Sequence, residues 1–276
     1  MRGLLLLATL IALVPLVLII YYLLKQGLGA WSWDFFTTDP TGRTCFPGQT
    51  TCSIGGIKSA ILGTILMVAL AGVIAIPLGI GVALYLVEFG KEGRFAQLVR
   101  YFVDVMTGVP SVVFGLFVYI VLILTDVGGS FAAWKGSIAL ALLMLPVVTR
   151  ASEVVLNLVP DGLREAALAL GAPRWRVMTR IVLPTALPGL ITGSLLAVAR
   201  AAGETAPLLF TAFSLLATSF ALDNQMNSLP IQIFNDVQAP SDAINQRAWG
   251  AALTLVVMIL LLTLIARLAQ RRSRLS

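Results

Sequence analysis

Six stretches of this chain are each long and apolar enough to cross a hydrocarbon core, which takes about 20 residues per helix. They run Gly3–Leu24, Ser59–Val87, Val99–Leu124, Gly136–Leu158, Pro188–Phe213 and Ala248–Leu268. Lipid offers no partner for backbone N–H and C=O groups, so unclosed spans must be helices. That constraint leaves one fold class, an all-α integral membrane protein with six transmembrane helices. No segment outside the spans is long and polar enough to be an independent soluble domain. The composition agrees. The 276 residues are 58% hydrophobic and 12% charged, roughly half the charge of an average soluble domain. A signal peptide is disfavoured at the N-terminus, because the run after Arg2 exceeds the ~7–15 residues of such a segment and no small-x-small site follows.

Orientation follows from the basic residues. One alternating set of loops and ends holds Arg2, Lys91, Arg94, Arg100, Arg164, Arg174, Arg176, Arg180, Arg267, Arg271, Arg272 and Arg274. The other holds Lys25, Lys58, Lys135, Arg43 and Arg247. The richer set is expected in the cytoplasm, together with both termini. The outward loop from Lys25 to Lys58 carries Trp31, Trp33, Phe35 and Phe36, which suit an interfacial aromatic belt. It also holds the two cysteines, Cys45 and Cys52, separated by a Pro-Gly turn. An outward compartment permits a disulfide between them, and two free thiols in a flexible loop is the alternative. The chain contains no histidine, and two cysteines alone make a poor metal site. The second outward loop, Leu216 to Arg247, contains Ser228–Phe234, a candidate short re-entrant or interfacial helix.

Between the fourth and fifth spans lies a polar, basic segment, 161–184. Asp161 is placed as an N-cap. Leu163, Ala166, Ala167 and Leu170 then follow at helical spacing and form one apolar face. Gly171 stands where a left-handed residue would close that helix, and Pro173 suits the first position of a second. The segment therefore reads as helix, glycine turn, helix, with small alanines on an exposed face that another protein's groove can close around. The competing reading is an amphipathic helix on the inner leaflet held by arginines. Gly55-Gly56-Ile57-Lys58-Ser59 resembles the end of a nucleotide-binding loop, but Ile57 breaks the Gly-Lys step and the spacing is wrong. No ATP site exists in this chain.

A charge near the bilayer centre costs at least ~2.5–3.5 kcal/mol. Arg200 and Glu204 fall within the fifth span, four residues apart and so on one helical face. Arg150 lies within the fourth, with Glu153 three residues on. A structural Arg200–Glu204 ion pair is one account. The other is an anion path, since a guanidinium stays charged and holds a tetrahedral oxyanion bidentately. Glu204 would then accept the P–OH of phosphate and repel sulfate. Pro110 frees a backbone carbonyl in the third span and Ser111 adds a hydroxyl, which fits either a path-lining broken helix or a packing kink. Gly189 and Gly193 form a GxxxG pattern read as close helix packing.

The motif Glu165-Ala166-Ala167, three residues, Gly171, nine residues, Ile181-Val182-Leu183-Pro184 resembles the EAA motif of ABC importer permeases. Pro110-Ser-Val-Val-Phe-Gly115, Leu145-Pro-Val-Val-Thr-Arg150 and Arg200-Ala-Ala-Gly-Glu-Thr205 resemble the phosphate permeases of that family, nearest to the PstA-type subunit. The resemblance covers Ser59 to the end, and it implies a MetI-like core of five helices plus an extra first helix. Residues 1–58 then hold the first helix and the outward loop, and 59–276 the permease domain. The resemblance assigns Glu165, Ala166, Ala167 and Gly171 to ATPase coupling. It assigns Arg150, Arg200, Glu204, Thr205 and Ser111 to the substrate path. It implies a bacterial inner-membrane heterodimer with a PstC-type permease, two PstB-type ATPases that bind ATP and Mg, and a PstS-type phosphate-binding protein outside. The chain itself would be no enzyme and would hold no cofactor. A permease for molybdate or sulfate, and a non-transporting membrane scaffold or sensor, are the competing functions.

Overall fold

A computed structural model describes residues 2–41, 54–90 and 93–273. Cys45 and Cys52 lie outside the described residues. Among the described residues the regular structure is helical, with one isolated bridge pairing Pro40 and Gly55. The helices are α1 (Arg2–Gly27), α2 (Trp33–Thr37), α3 (Lys58–Leu84), α4 (Arg94–Gly108), α5 (Ser111–Val118), α6 (Ala133–Asn157), α7 (Asp161–Ala169), α8 (Arg174–Val177), α9 (Leu183–Ala202), α10 (Ala206–Thr211), α11 (Leu229–Val237) and α12 (Asp242–Ser273). Three π-helical turns extend this set: Tyr85–Gly90 after α3, Tyr119–Ile123 after α5, and Met178–Val182 joining α8 to α9.

Among the described residues, five helices are long and apolar enough to cross a membrane, and a sixth span is completed if the bent pair α4 and α5 counts as one. The central element is α6, which packs against α3, α9, α4, α5 and α10. Met67, Ala71 and Ala75 of α3 meet Leu140, Met144 and Val148 of α6, with Ala197 and Ala201 of α9 closing the cluster. These alanines and glycines let the helices approach closely, which replaces the hydrophobic drive that is missing between helices in lipid. The GxxxG expectation holds. A Cβ on Gly189 would meet Val155 at 2.5 Å, and one on Gly193 would meet Ala151 at 2.7 Å. By contrast α1 leans on α12 near its end, and most of its length is exposed apolar surface.

Two spans are interrupted or shifted. The third, expected over Val99–Leu124 with a break or kink at Pro110, is broken there: α4 stops at Gly108 and the axis turns by 104° before α5 continues. Pro110 is the cause, because its ring disfavours helical backbone at Val109, which is extended with ψ 130°. The fifth, expected over Pro188–Phe213, instead runs from Arg174 to Ala202 as one continuous rod through the π turn. It ends there because Pro207 has no N–H to give and its ring would clash with the carbonyl of Gly203. Gly203 to Thr205 therefore separate α9 from α10. Lys135 was expected in an outward loop. It is fully buried at the start of α6, donating to the carbonyls of Leu122 and Ser130 at 3.2 and 2.8 Å. A cation there satisfies carbonyls freed where the α5 helix and the turn after it end.

Helix α11 forms almost where expected. Ser228 caps it by accepting from the N–H of Ile231, and its first residues, Leu229 to Gln232, are buried. It seats on α3 through Gly63, where a Cβ would lie 2.0 Å from the carbonyl oxygen of Asn227. Backbone cannot yield as a side chain does, so Gly63→Ala should destabilise the fold by about 1–3 kcal/mol or more, the usual cost of overpacking. A thermal unfolding midpoint in detergent, lowered against the parent chain, is the expected result.

Candidate functional site: a charged helix pair and a basic hairpin

The hairpin over residues 161–184 takes the expected shape with two corrections. Asp161 does not cap α7. Pro160 occupies the N-cap, and Asp161 is the first helical residue, its carboxylate 2.9 Å from Nη1 of Arg164. Pro173 likewise precedes α8 as its N-cap. The turn itself is a Schellman motif: Gly171 N–H donates to the Leu168 carbonyl at 2.9 Å, and Ala172 N–H to that of Ala167 at 3.2 Å. Gly171 has φ +78°, in the left-handed region that costs other residues strain.

The exposed face of the hairpin also differs from expectation. Glu165 and Ala166 are exposed, and so are Leu163, Leu170 and Trp175, with Leu170 at 89%. Ala167 instead packs inward with Val177, Val182, Leu156 and Ala186. The helical arc that faces the bundle is centred on Ala167, so Ala166 and Ala167 do not present one common surface. The knob available to a partner is Glu165, Ala166, Leu170 and Trp175 around the glycine turn.

Of the proposed path residues, Arg150 is the most heavily engaged. Its Nη1 donates to Glu153 at 2.6 Å, and Nη2 pairs with Asp104 of α4. Glu153, nearly buried, also accepts from Nε of Arg100 at 2.8 Å. Two arginines and two carboxylates thus form a neutral cluster that pins the amphipathic α4 against α6. Arg200 sits in the last turn of α9, where a cation is favoured by the helix dipole. Its side chain is half exposed and its Nε lies 3.7 Å from Glu204 Oε1, a long contact compared with the 2.7–2.9 Å of a charge-assisted hydrogen bond. Glu204 and Thr205 occupy the break between α9 and α10, with Thr205 as the α10 N-cap. Ser111 opens α5. The two broken helices meet where Gly115 packs on Pro207, one turn beyond Ser111 and three residues beyond Glu204.

The arginines stand at different depths. The contacts of Gly189 with Val155 and Gly193 with Ala151 make α6 and α9 antiparallel. By that register the residue opposite Arg150 is Ser194, six short of Arg200, which is about 9 Å of helix. Arg150 and Arg200 are therefore successive stations along one helix pair rather than two prongs of one fork.

Sequence reasoning missed Arg100 and Asp104 as Arg150's companions, and Glu88 as the partner of Arg164. Their separations along the chain left no local pattern to find. It also missed a buried polar cluster between α11 and α12. Arg247 and Asp236 are each 4% exposed and pair through two hydrogen bonds of 2.7 and 2.8 Å. Gln232 donates to Asp236 at 2.8 Å and accepts from Asn227 at 2.6 Å.

The chain is an all-helical bundle with a basic hairpin between α6 and α9 and charged side chains along that helix pair. Residues 75–275 match the family described as binding-protein-dependent transport system inner membrane component. The chain belongs to that family. The permease is 42% identical over 270 residues to the phosphate transport system permease protein PstA 1 of Mycobacterium tuberculosis, covering 96% of this chain and 86% of that one. It is 39% identical over 250 residues to the PstA of Pasteurella multocida, covering 91% and 86%. Among solved structures, a bacterial alginate ABC transporter complex gives a TM-score of 0.66 at 18% identity, covering 98% of this permease and 95% of that chain. The methionine transporter MetNI, facing inward, gives 0.60 at 20% identity, covering 77% and 92%. At those identities the likeness is one of fold, and it establishes the MetI-like core. The permease is thus a multi-pass inner-membrane transport subunit.

Proposed function

We propose that this chain is the PstA-type subunit of an ATP-driven phosphate importer. It would build the translocation path with a PstC-type permease and couple to two PstB-type ATPases through residues 161–184. A PstS-type binding protein would deliver phosphate from outside. ATP and Mg belong to the ATPases, and both termini face the cytoplasm. The observation that carries the reading is likeness at about 40% identity over nearly the whole chain to PstA permeases. The charges of the bundle suit it. Arg200 is half exposed at the mouth of a helix break, and only loosely held by Glu204. An arriving oxyanion can therefore take the guanidinium without first breaking a tight ion pair.

In this mechanism ATP closure moves the hairpin. Since α8, the π turn and α9 form one rod, a tilt applied at Arg174 reaches Arg200 directly. The path then alternates its open side. Glu204 supplies selectivity, because a carboxylate accepts the proton that phosphate keeps near neutral pH and repels sulfate, which has none. Glu204→Gln should keep phosphate uptake within about tenfold of the parent, while sulfate competition, absent before, becomes measurable. Tenfold is about 1.4 kcal/mol, near the low end for a hydrogen bond to a charged group. Unchanged exclusion of sulfate by reconstituted complex lacking the binding protein would contradict this role.

A further inference from the structure

The hairpin and Arg150 are joined by two sets of polar contacts that meet on the backbone of one turn, Leu86 to Glu88. Arg164 of α7 is only 14% exposed in its side chain and uses four of the five N–H donors of its guanidinium. Nε gives to Glu88 Oε1 at 2.9 Å, Nη1 to the Val159 carbonyl at 2.6 Å and to Asp161 at 2.9 Å, and Nη2 to the Leu156 carbonyl at 2.9 Å. The coupling helix is thereby clamped to the end of α6 and to the π turn that closes α3. That same turn is gripped from its other side. Arg100 Nη2 donates to the Leu86 carbonyl at 3.0 Å while its Nε holds Glu153 at 2.8 Å. Glu153 in turn holds Arg150 at 2.6 Å.

We propose that Arg164, Glu88, Arg100 and Glu153 are positioning residues that relay movement of the coupling helix to Arg150. The proposal rests on the reading of this chain as an ATPase-coupled permease. The relay crosses the π turn Tyr85–Gly90, a backbone form with an extra residue per turn that is often found where helices change register. Open space adjoins the relay. A cavity of about 320 Å³ is lined by Glu88, Arg100, Asp161 and Arg164, and another of about 420 Å³ by Glu88, Arg164, Glu165 and Arg174. The contacts therefore have room to shift without unpacking a core. A guanidinium is suited to the Arg100 position because one group reaches two elements at once, which a lysine ammonium on a single stem does not reproduce.

The test uses the whole complex in proteoliposomes, with Glu88→Gln and Arg100→Lys singly and together. Phosphate moved per ATP hydrolysed is read beside complex assembly and thermal stability. Each single variant should assemble and hydrolyse ATP, while phosphate per ATP falls roughly tenfold, the size of an ordinary coupling free energy. The double variant should fall no further than either single one, because both cut the same line. An unchanged ratio overturns the relay, and so does a loss of uptake and hydrolysis in equal measure. Additive losses in the double variant overturn it as well. If the parent complex itself shows no ATP-dependent uptake, the underlying reading fails together with the relay, and the parent sample alone reveals that.

Discussion

Asp236→Ala is expected to cost about 3–5 kcal/mol of stability, the usual penalty for removing one partner of a buried ion pair. Arg247 has its guanidinium 4% exposed and places two hydrogen bonds on Asp236. Its remaining arm reaches the Ile54 carbonyl. Without the carboxylate the charge stays in place with little water to solvate it. Gln232 also loses its acceptor, so the buried line from Asn227 through Gln232 is left open. Since α11 and α12 are held together here, this end of the bundle should loosen first. The check is thermal unfolding in detergent. Asp236→Asn keeps the shape and one acceptor and should lose less. The joint change Asp236→Leu with Arg247→Met should recover most of the loss, because no charge is then stranded. An unfolding midpoint for Asp236→Ala equal to that of the parent would show that the pair is solvated.

Gly171→Val should abolish most ATP-dependent uptake while the protein still inserts in the membrane. The left-handed backbone at φ +78° costs an L-residue about 1–2 kcal/mol, and a β-branched side chain more. Nothing lies within 4 Å of a Cβ there, so the effect is backbone strain and not a clash. A strain near 2 kcal/mol shifts the hairpin population by roughly thirtyfold. Released from its Schellman closure, the knob would no longer present Leu170 and Glu165 in fixed relation. Gly171→Asn is the control, since asparagine tolerates this region, and it should transport nearly as well as the parent. Equal uptake by the valine variant, at equal amounts in the membrane, would separate the turn from coupling.

The hairpin was the most legible part of the sequence. Its helix, its left-handed glycine and the proline after it are local signals, and each acts within a few residues. The spans were legible as hydropathy and the break at Pro110 as a proline signal, but the end of the fifth span was not. Pro207 ends α9 through a clash one turn upstream, and a sliding apolar average passes over it. The π turns leave no composition signal, so the continuity of Arg174 with Ala202 was hidden. The charged residues were visible as costly, yet their pairing was not. Arg150 meets Asp104, and Arg164 meets Glu88, across separations that only the packing of α3, α4 and α6 brings together. Ala167 turned inward for a related reason. The helical period gave the apolar arc, and the bundle decided which part of that arc it would cover.

The most direct test of the central claim is uptake of labelled phosphate into proteoliposomes carrying this chain with its partner permease and ATPase, with the phosphate-binding protein supplied outside. The account predicts uptake that requires ATP, that unlabelled phosphate competes away and sulfate or molybdate does not, and that Arg200→Ala removes. Uptake that sulfate or molybdate suppresses as well as phosphate does, or that persists undiminished without Arg200, would contradict it.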